Sequence, residues 1–202
     1  MRISNHKQGS DEWLQSRLGK PTASNFGKLI TPTGKPSASA EGYINELIAQ
    51  RITGELPEFY TNSAMERGNE LEPAAKAMYE FMYGVEVVEV GLCLHDEFDC
   101  GASPDGLVGD DGGIEIKCPL PHTHIAYLRE GVVPSKYIPQ IQGCLWITGP
   151  GREWWDFMSY HPAMEDLIVR VYRDEAYIKA LADAVTRAVE IIETETLKWS
   201  KK

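Results

Sequence analysis

"SPDGLVGDDGGIEIKCP" (103–119) is the stretch on which the fold turns. Its "DDGG" (110–113) has the composition of a tight turn between two strands. "GIEIK" (113–117) alternates apolar and charged residues, the pattern of a half-buried strand. Side chains two apart on a strand share a face, so Glu115 and Lys117 point one way and Ile114 and Ile116 the other. Asp105 precedes Glu115 by ten positions, across the turn. The stretch therefore brings two carboxylates and an ammonium together beside a buried surface.

Helical patterns surround this hairpin. "SDEWLQSRLG" (10–19) reads as a short helix with Ser10 as N-cap and Gly19 past its end, and "TASNFGKLI" (22–30) as a further turn or two. "TPTGKPSAS" (31–39) is a loop. Ile44, Leu47, Ile48 and Ile52 recur at helical spacing, with Gly54 as a stop. "NSAMERGNELEPAAKAMYEFMYG" (62–84) opens on a capping-box pattern at Ser63 and Glu66. Met78, Phe81 and Met82 form its expected apolar side, and Pro73 should kink or divide it.

"VEVVEV" (85–90) alternates as a strand, "YIPQIQGCLWITG" (137–149) returns to helical spacing, and "EWWDFMSYH" and "LIVRVYR" read as two more strands. A long amphipathic helix runs from about Asp174 to Trp199. This order suits an α/β or α+β domain with a mixed central sheet flanked by helices. With 202 residues, 1–202 is expected to form a single domain.

No apolar run is long enough to span a membrane and no export signal opens the chain, so a cytoplasmic location is expected. Cys93, Cys100, Cys118 and Cys144 form no CxxC pair and read as reduced, mostly buried thiols. His122 and His124 read as part of a proline-rich surface loop. Trp154 and Trp155 are adjacent on a strand and face opposite ways, while Trp13 and Trp146 read as core residues. The formal net charge of −10 argues against nucleic acid on its face. A site that holds divalent cations must itself carry acids, however, and the cations invert the local field.

Asp105, Glu115 and Lys117, in the pattern Asp-x9-Glu-x-Lys, fit metal-assisted phosphodiester hydrolysis. Carboxylate oxygens suit Mg²⁺ or Mn²⁺. A nearby lysine can position the attacking water or stabilise charge on phosphate. An exposed hairpin with ordinary charges would show the same pattern, so the surroundings decide.

Those surroundings are "WLQSRLGKPTAS", "RGNELEP", "SPDG", "EIKCP" and "QIQGCLWIT", in that order along most of the chain. Together they resemble the phage lambda exonuclease and YqaJ-type viral recombinase family, within the PD-(D/E)xK nuclease superfamily. The resemblance implies a restriction-endonuclease-like core and a metal-dependent 5′→3′ exonuclease acting on double-stranded DNA ends. It implies release of 5′-mononucleotides and a 3′ single-stranded tail for recombination by strand annealing.

It also implies residue roles. Asp105, Glu115 and the Ile116 carbonyl match metal ligands, with Glu72 as a further acid for a second Mg²⁺. Lys117 matches the catalytic lysine and Gln142 a glutamine beside it; Glu70 is the alternative to Glu72 in a shifted register, and Gln140 the alternative to Gln142. Arg17, Ser24 and Ser103 match groups that bind the DNA 5′-phosphate. A homotrimeric ring and a single-strand annealing partner are implied as well. Lys28, Lys35 and Arg129 are candidates for basic groups facing such a channel.

Three other readings stand beside this one. A restriction-type endonuclease would need a base-reading element, and no basic recognition helix is evident. An iron–sulfur nuclease would gather three cysteines after the nuclease motifs, where only Cys118 and Cys144 lie. A non-catalytic DNA-end-binding relative would not need both acids and the lysine.

Overall fold

The computed structural model describes residues 1–56 and 63–201. In chain order the elements are β1 (Arg2–Ile3), α1 (Asp11–Ser16), a 3-10 segment (Ala23–Lys28), α2 (Ala40–Thr53) and α3 (Ser63–Tyr83). Five strands follow: β2 (Val87–Val88), β3 (Cys93–Leu94), β4 (Gly101–Ala102), β5 (Gly106–Val108) and β6 (Gly112–Lys117). Then come α4 (Pro121–Glu130), a 3-10 turn (Ser135–Tyr137), α5 (Ile138–Thr148), β7 (Trp154–Ser159), β8 (Leu167–Tyr172) and α6 (Glu175–Trp199).

The main sheet has five strands in the order β2-β5-β6-β7-β8. All neighbours are antiparallel except β6 and β7, which run parallel. Parallel strands need a long crossover, and α4 and α5 supply it. A smaller sheet, β1-β3-β4, is not hydrogen-bonded to it but packs Cys93 and Ala102 into the same core.

The alternation in β6 divides the core as the sequence predicts. Ile114 and Ile116 join Ala75 and Tyr79 of α3, with Val108 and Met158, in one apolar cluster. On the other face Leu107, Trp155 and Phe157 pack with Ile141 and Leu145 of α5 and Leu181 and Val185 of α6. Helices therefore cover both faces of the sheet. Ser10 caps α1 by accepting the Trp13 N–H, and Asp174 caps α6 by accepting that of Tyr177. Gly54 ends α2 in the left-handed conformation, with φ 71°.

Several expectations are corrected. α3 runs unbroken through Pro73. Its sheet-side face is Ala75 and Tyr79, and Met78, Phe81 and Met82 are 40%, 85% and 51% exposed. The sheet-side face also carries a polar contact: the Tyr79 hydroxyl donates to buried Asp156 at 2.6 Å, and Arg170 grips the same carboxylate at 2.8 and 2.9 Å. "VEVVEV" contributes only Val87–Val88, because its partner β5 is three residues long. His124 lies on helix α4, fully buried, with its Nδ1 2.8 Å from the Ser159 hydroxyl and its Nε2 2.9 Å from the Glu165 carbonyl. The four cysteines are free, and three of them are buried.

Parallel pairing sets Gly112 and Gly113 beside Trp154 and Trp155. A Cβ at Gly113 would stand 2.4–2.6 Å from the ring of Trp155, which is fully buried. At Gly112 the collision is with the far edge of Trp154, which is only half-buried. Gly113→Ala should therefore lower unfolding stability by about 1–3 kcal/mol. Gly112→Ala should cost less, and urea denaturation of both variants measures the difference.

Candidate active site

The segment leaving β4 and entering β5 carries Ser103 and Asp105. One Asp105 carboxylate oxygen accepts the Ile116 N–H at 2.6 Å, which ties this segment to the middle of β6. The bond sets Asp105 beside Glu115 and Lys117, as the hairpin pattern implies. Glu115 is 0% exposed, and its Oε1 accepts from the Gln140 amide at 2.6 Å and pairs with the Lys117 ammonium. Its Oε2 is buried with no hydrogen-bond partner. Such an atom is costly unless something satisfies it.

Electrostatics join a third acid to the pair. Burial and then the Asp105 charge push Glu115 up to about 7. Glu72 of α3 is also pushed up to about 7, by burial and then by Asp105, with Lys117 acting against both. Asp105 is raised by burial, opposed by Lys117 and by the Ile116 N–H. Burial would lower Lys117, but Glu115 and Asp105 outweigh it and hold the ammonium above its ordinary range. Three acids thus repel one another around one cation.

Among the described residues, no three His, Cys, Asp or Glu side chains stand preassembled to hold a metal ion. In this arrangement Lys117 supplies the compensating charge. The donor chemistry nonetheless suits a hard cation: carboxylate oxygens, an adjacent main-chain carbonyl at Ile116 and one unsatisfied buried oxygen.

A second group lies along the same segment. The Arg17 guanidinium reaches the hydroxyls of Ser24 and Thr22, each at 3.2 Å. It stacks 4.1 Å from the ring of Trp13, whose indole N–H donates to Ser103 at 3.0 Å. Arg17, Ser24 and Ser103 therefore come together, two residues upstream of Asp105. Burial lowers the Arg17 pKa from its ordinary value. Trp13, read from sequence as core, is half-buried and bridges this group. Its indole nitrogen, which needs a partner when covered, was the available signal.

Gln142 is not at the site. Its amide donates to the Tyr172 carbonyl at 2.9 Å and its oxygen accepts the Asp174 N–H at 3.0 Å, fastening α5 to the start of α6. Gln140, the alternative register, faces Glu115. Tyr137, which the sequence did not single out, lies beside Lys117, the ammonium 5.6 Å from its ring centre. Glu70 is exposed. Of the candidate channel cations, Lys28 pairs with Glu46 at 3.6 Å, and Lys35 and Arg129 are exposed.

The YqaJ-like viral recombinase domain matches residues 12–150. An alkaline exonuclease (LHK-Exo) from Laribacter hongkongensis is 41% identical, with TM-score 0.84, over 94% of this chain and 95% of that one. LHK-Exo in complex with dAMP matches over the same shares at 41% identity and TM-score 0.85. A phage-related exonuclease from Haemophilus somnus 129PT shares the fold, with TM-score 0.70 at 19% identity over 90% of this chain and 96% of that one. No curated protein sequence matches the chain.

The two glutamines give opposite expectations. Gln142→Ala removes two hydrogen bonds to part-buried backbone groups and should cost about 1–3 kcal/mol of stability. Gln140→Ala should cost less stability but reduce DNA cleavage about tenfold or more, because it removes a bond to a charged acceptor. Thermal unfolding and a nuclease assay on both purified variants separate the two roles.

Proposed function

The chain belongs to the YqaJ-like viral recombinase family and is homologous to an exonuclease over nearly its whole length, and on that premise we propose that it is a Mg²⁺-dependent 5′→3′ exonuclease on double-stranded DNA ends. The observation that carries this reading is the buried, unpartnered Glu115 Oε2 beside Lys117, with Asp105 and Glu72 within electrostatic reach. In this reading residues 1–202 act as one nuclease domain. The enzyme releases 5′-mononucleotides and leaves a 3′ tail for annealing. The dAMP held by LHK-Exo is a nucleoside monophosphate, the class of product such a reaction yields.

Glu72, Asp105, Glu115 and the Ile116 carbonyl are the groups that would hold two Mg²⁺ ions, with Mn²⁺ able to substitute. When bound, such an ion polarises the phosphate and acidifies water. The protein's own contributions follow from the geometry. Gln140 holds Glu115 Oε1, which leaves Oε2 open. Lys117 stays protonated, so it serves as a cation and hydrogen-bond donor to the attacking water or a phosphate oxygen. Arg17, Ser24 and Ser103 form the 5′-phosphate pocket, with Trp13 fixing the guanidinium plane.

A ring-shaped homotrimer and a single-strand annealing partner complete the reading by family resemblance. A ring offers a way for a chain of net charge −10 to stay on DNA, since threading replaces tight binding. No described helix is long and apolar enough to cross a membrane. We place the action in the cytoplasm of a bacterial host, in phage or prophage recombination.

A linear duplex labelled separately at its 5′ and 3′ termini tests the reading. The 5′ label should appear first as mononucleotide, only with Mg²⁺, and a closed circle should resist. Release of the 3′ label first, or cutting of the circle, would overturn it.

A 5′-phosphorylated end should be digested faster than a 5′-hydroxyl end. Arg17→Ala should remove about tenfold or more of that preference, the worth of a hydrogen bond to a charged group. Equal slowing of both substrates would remove Arg17 from the pocket.

A further inference from the structure

The sequence "PSKYIPQ" (134–140) forms the 3-10 turn and the start of α5. Pro134 and Pro139 are buried, so the turn is pinned on both sides. Gln140 goes to Glu115, as described. The Tyr137 ring packs against Phe157 at 5.1 Å, tilted by 31°, and Phe157 is the register partner of Glu115 on the neighbouring strand. Tyr127 of α4 meets Tyr137 edge-on at 6.4 Å. The result is an aromatic wall beside the carboxylates.

Two ammonium groups share that wall. Lys117 lies 5.6 Å from the centre of the Tyr137 ring, and Lys136 lies 4.9 Å from the same centre and 5.7 Å from that of Tyr127. The two cations are thus separated by no more than the sum of their distances to one ring. Lys117 is committed to Glu115. Lys136 is exposed and, among the described residues, has no carboxylate within salt-bridge distance, in a chain where Asp and Glu outnumber Lys and Arg by 30 to 20. Ordering a long side chain over two rings costs rotamer entropy, which a cation–π contact only partly offsets. The acids around Lys117 outnumber it and draw a second cation toward the site, yet none of them reaches Lys136, so its charge stays open to an anion from outside.

We propose that Lys136, held by Tyr127 and Tyr137, is a second phosphate-binding station: it takes a phosphodiester of the bound DNA strand next to the one beside Lys117. This deepens the exonuclease reading and rests on it. Arg17 and its hydroxyl partners hold the terminal phosphate, whereas Lys136 holds an internal one and serves any sequence. The ligand class is the DNA phosphodiester, recognised by charge alone.

The test is the salt dependence of duplex binding, followed by fluorescence anisotropy with Ca²⁺ replacing Mg²⁺ so that the DNA is not consumed. Each phosphate contact contributes about 0.9 to the slope of log affinity against log salt. Lys136→Ala should therefore reduce the slope by about one, and Lys136→Arg should retain it. Lys179→Ala, the same charge change at an exposed position on α6, should leave the slope unchanged. An unaltered slope in Lys136→Ala, or an equal loss in Lys179→Ala, would overturn the station and leave the exonuclease reading standing. Failure of the unmutated protein to bind duplex at all would instead count against that reading.

Discussion

A carboxylate shut off from water in the middle of β6 is the constraint on which the site depends. An isolated charge at Glu115 would be too costly to bury. Its neighbours reduce that cost without abolishing it: Lys117 two residues on, Gln140 from the crossover helix, and the turn that brings Tyr137 against Lys117. The parallel pairing of β6 with β7 creates the crossover, and so creates the place from which Gln140 and Tyr137 arrive. Asp105 is held to the same strand by a single bond to the Ile116 N–H. Fold and site are in this sense one problem in disposing of charge.

The sheet contains a second buried carboxylate, and the contrast is instructive. Asp156 stands opposite Ile114 in register, on the face away from Glu115. Both of its oxygens are engaged, by Arg170 and by Tyr79. It is a closed network, joining α3 to two strands, and needs no further partner. Glu115 differs by one open oxygen and by a pKa pushed up to about 7, first by burial and then by the Asp105 charge. Two similar residues on adjacent strands thus divide into a closed rivet and an acid with one oxygen open, and satisfaction of the carboxylate tells them apart.

Much of this was legible in the sequence where periodicity was strong. The alternation in "GIEIK" marks the two faces of β6, the Ser10 cap marks the start of α1, and amphipathic periodicity places the last helix from about Asp174. What failed was helix rotation. Residues 140 and 142 lie on different sides of α5, and nothing local says which side meets the sheet. The apolar trio Met78, Phe81 and Met82 faces outward for the same reason: Ala75 and Tyr79 offer a rival sheet-side face, which packs in the core and carries the bond to Asp156. Trp13 and His124 were misplaced because each combines an apolar body with a polar tip, and only tertiary partners decide which governs.

The glycine pair facing the tryptophan pair has a consequence for how such a sheet varies through descent. The indole at Trp155 occupies the volume a side chain at Gly113 would need, so neither position is free to change alone. A lineage can enlarge position 113 only after position 155 has shrunk, and the intermediate carries a cavity in the core. The two positions are therefore inherited as a unit. Gly112 and Trp154, at the half-open edge, are under a looser version of the same bond and have room to drift one at a time.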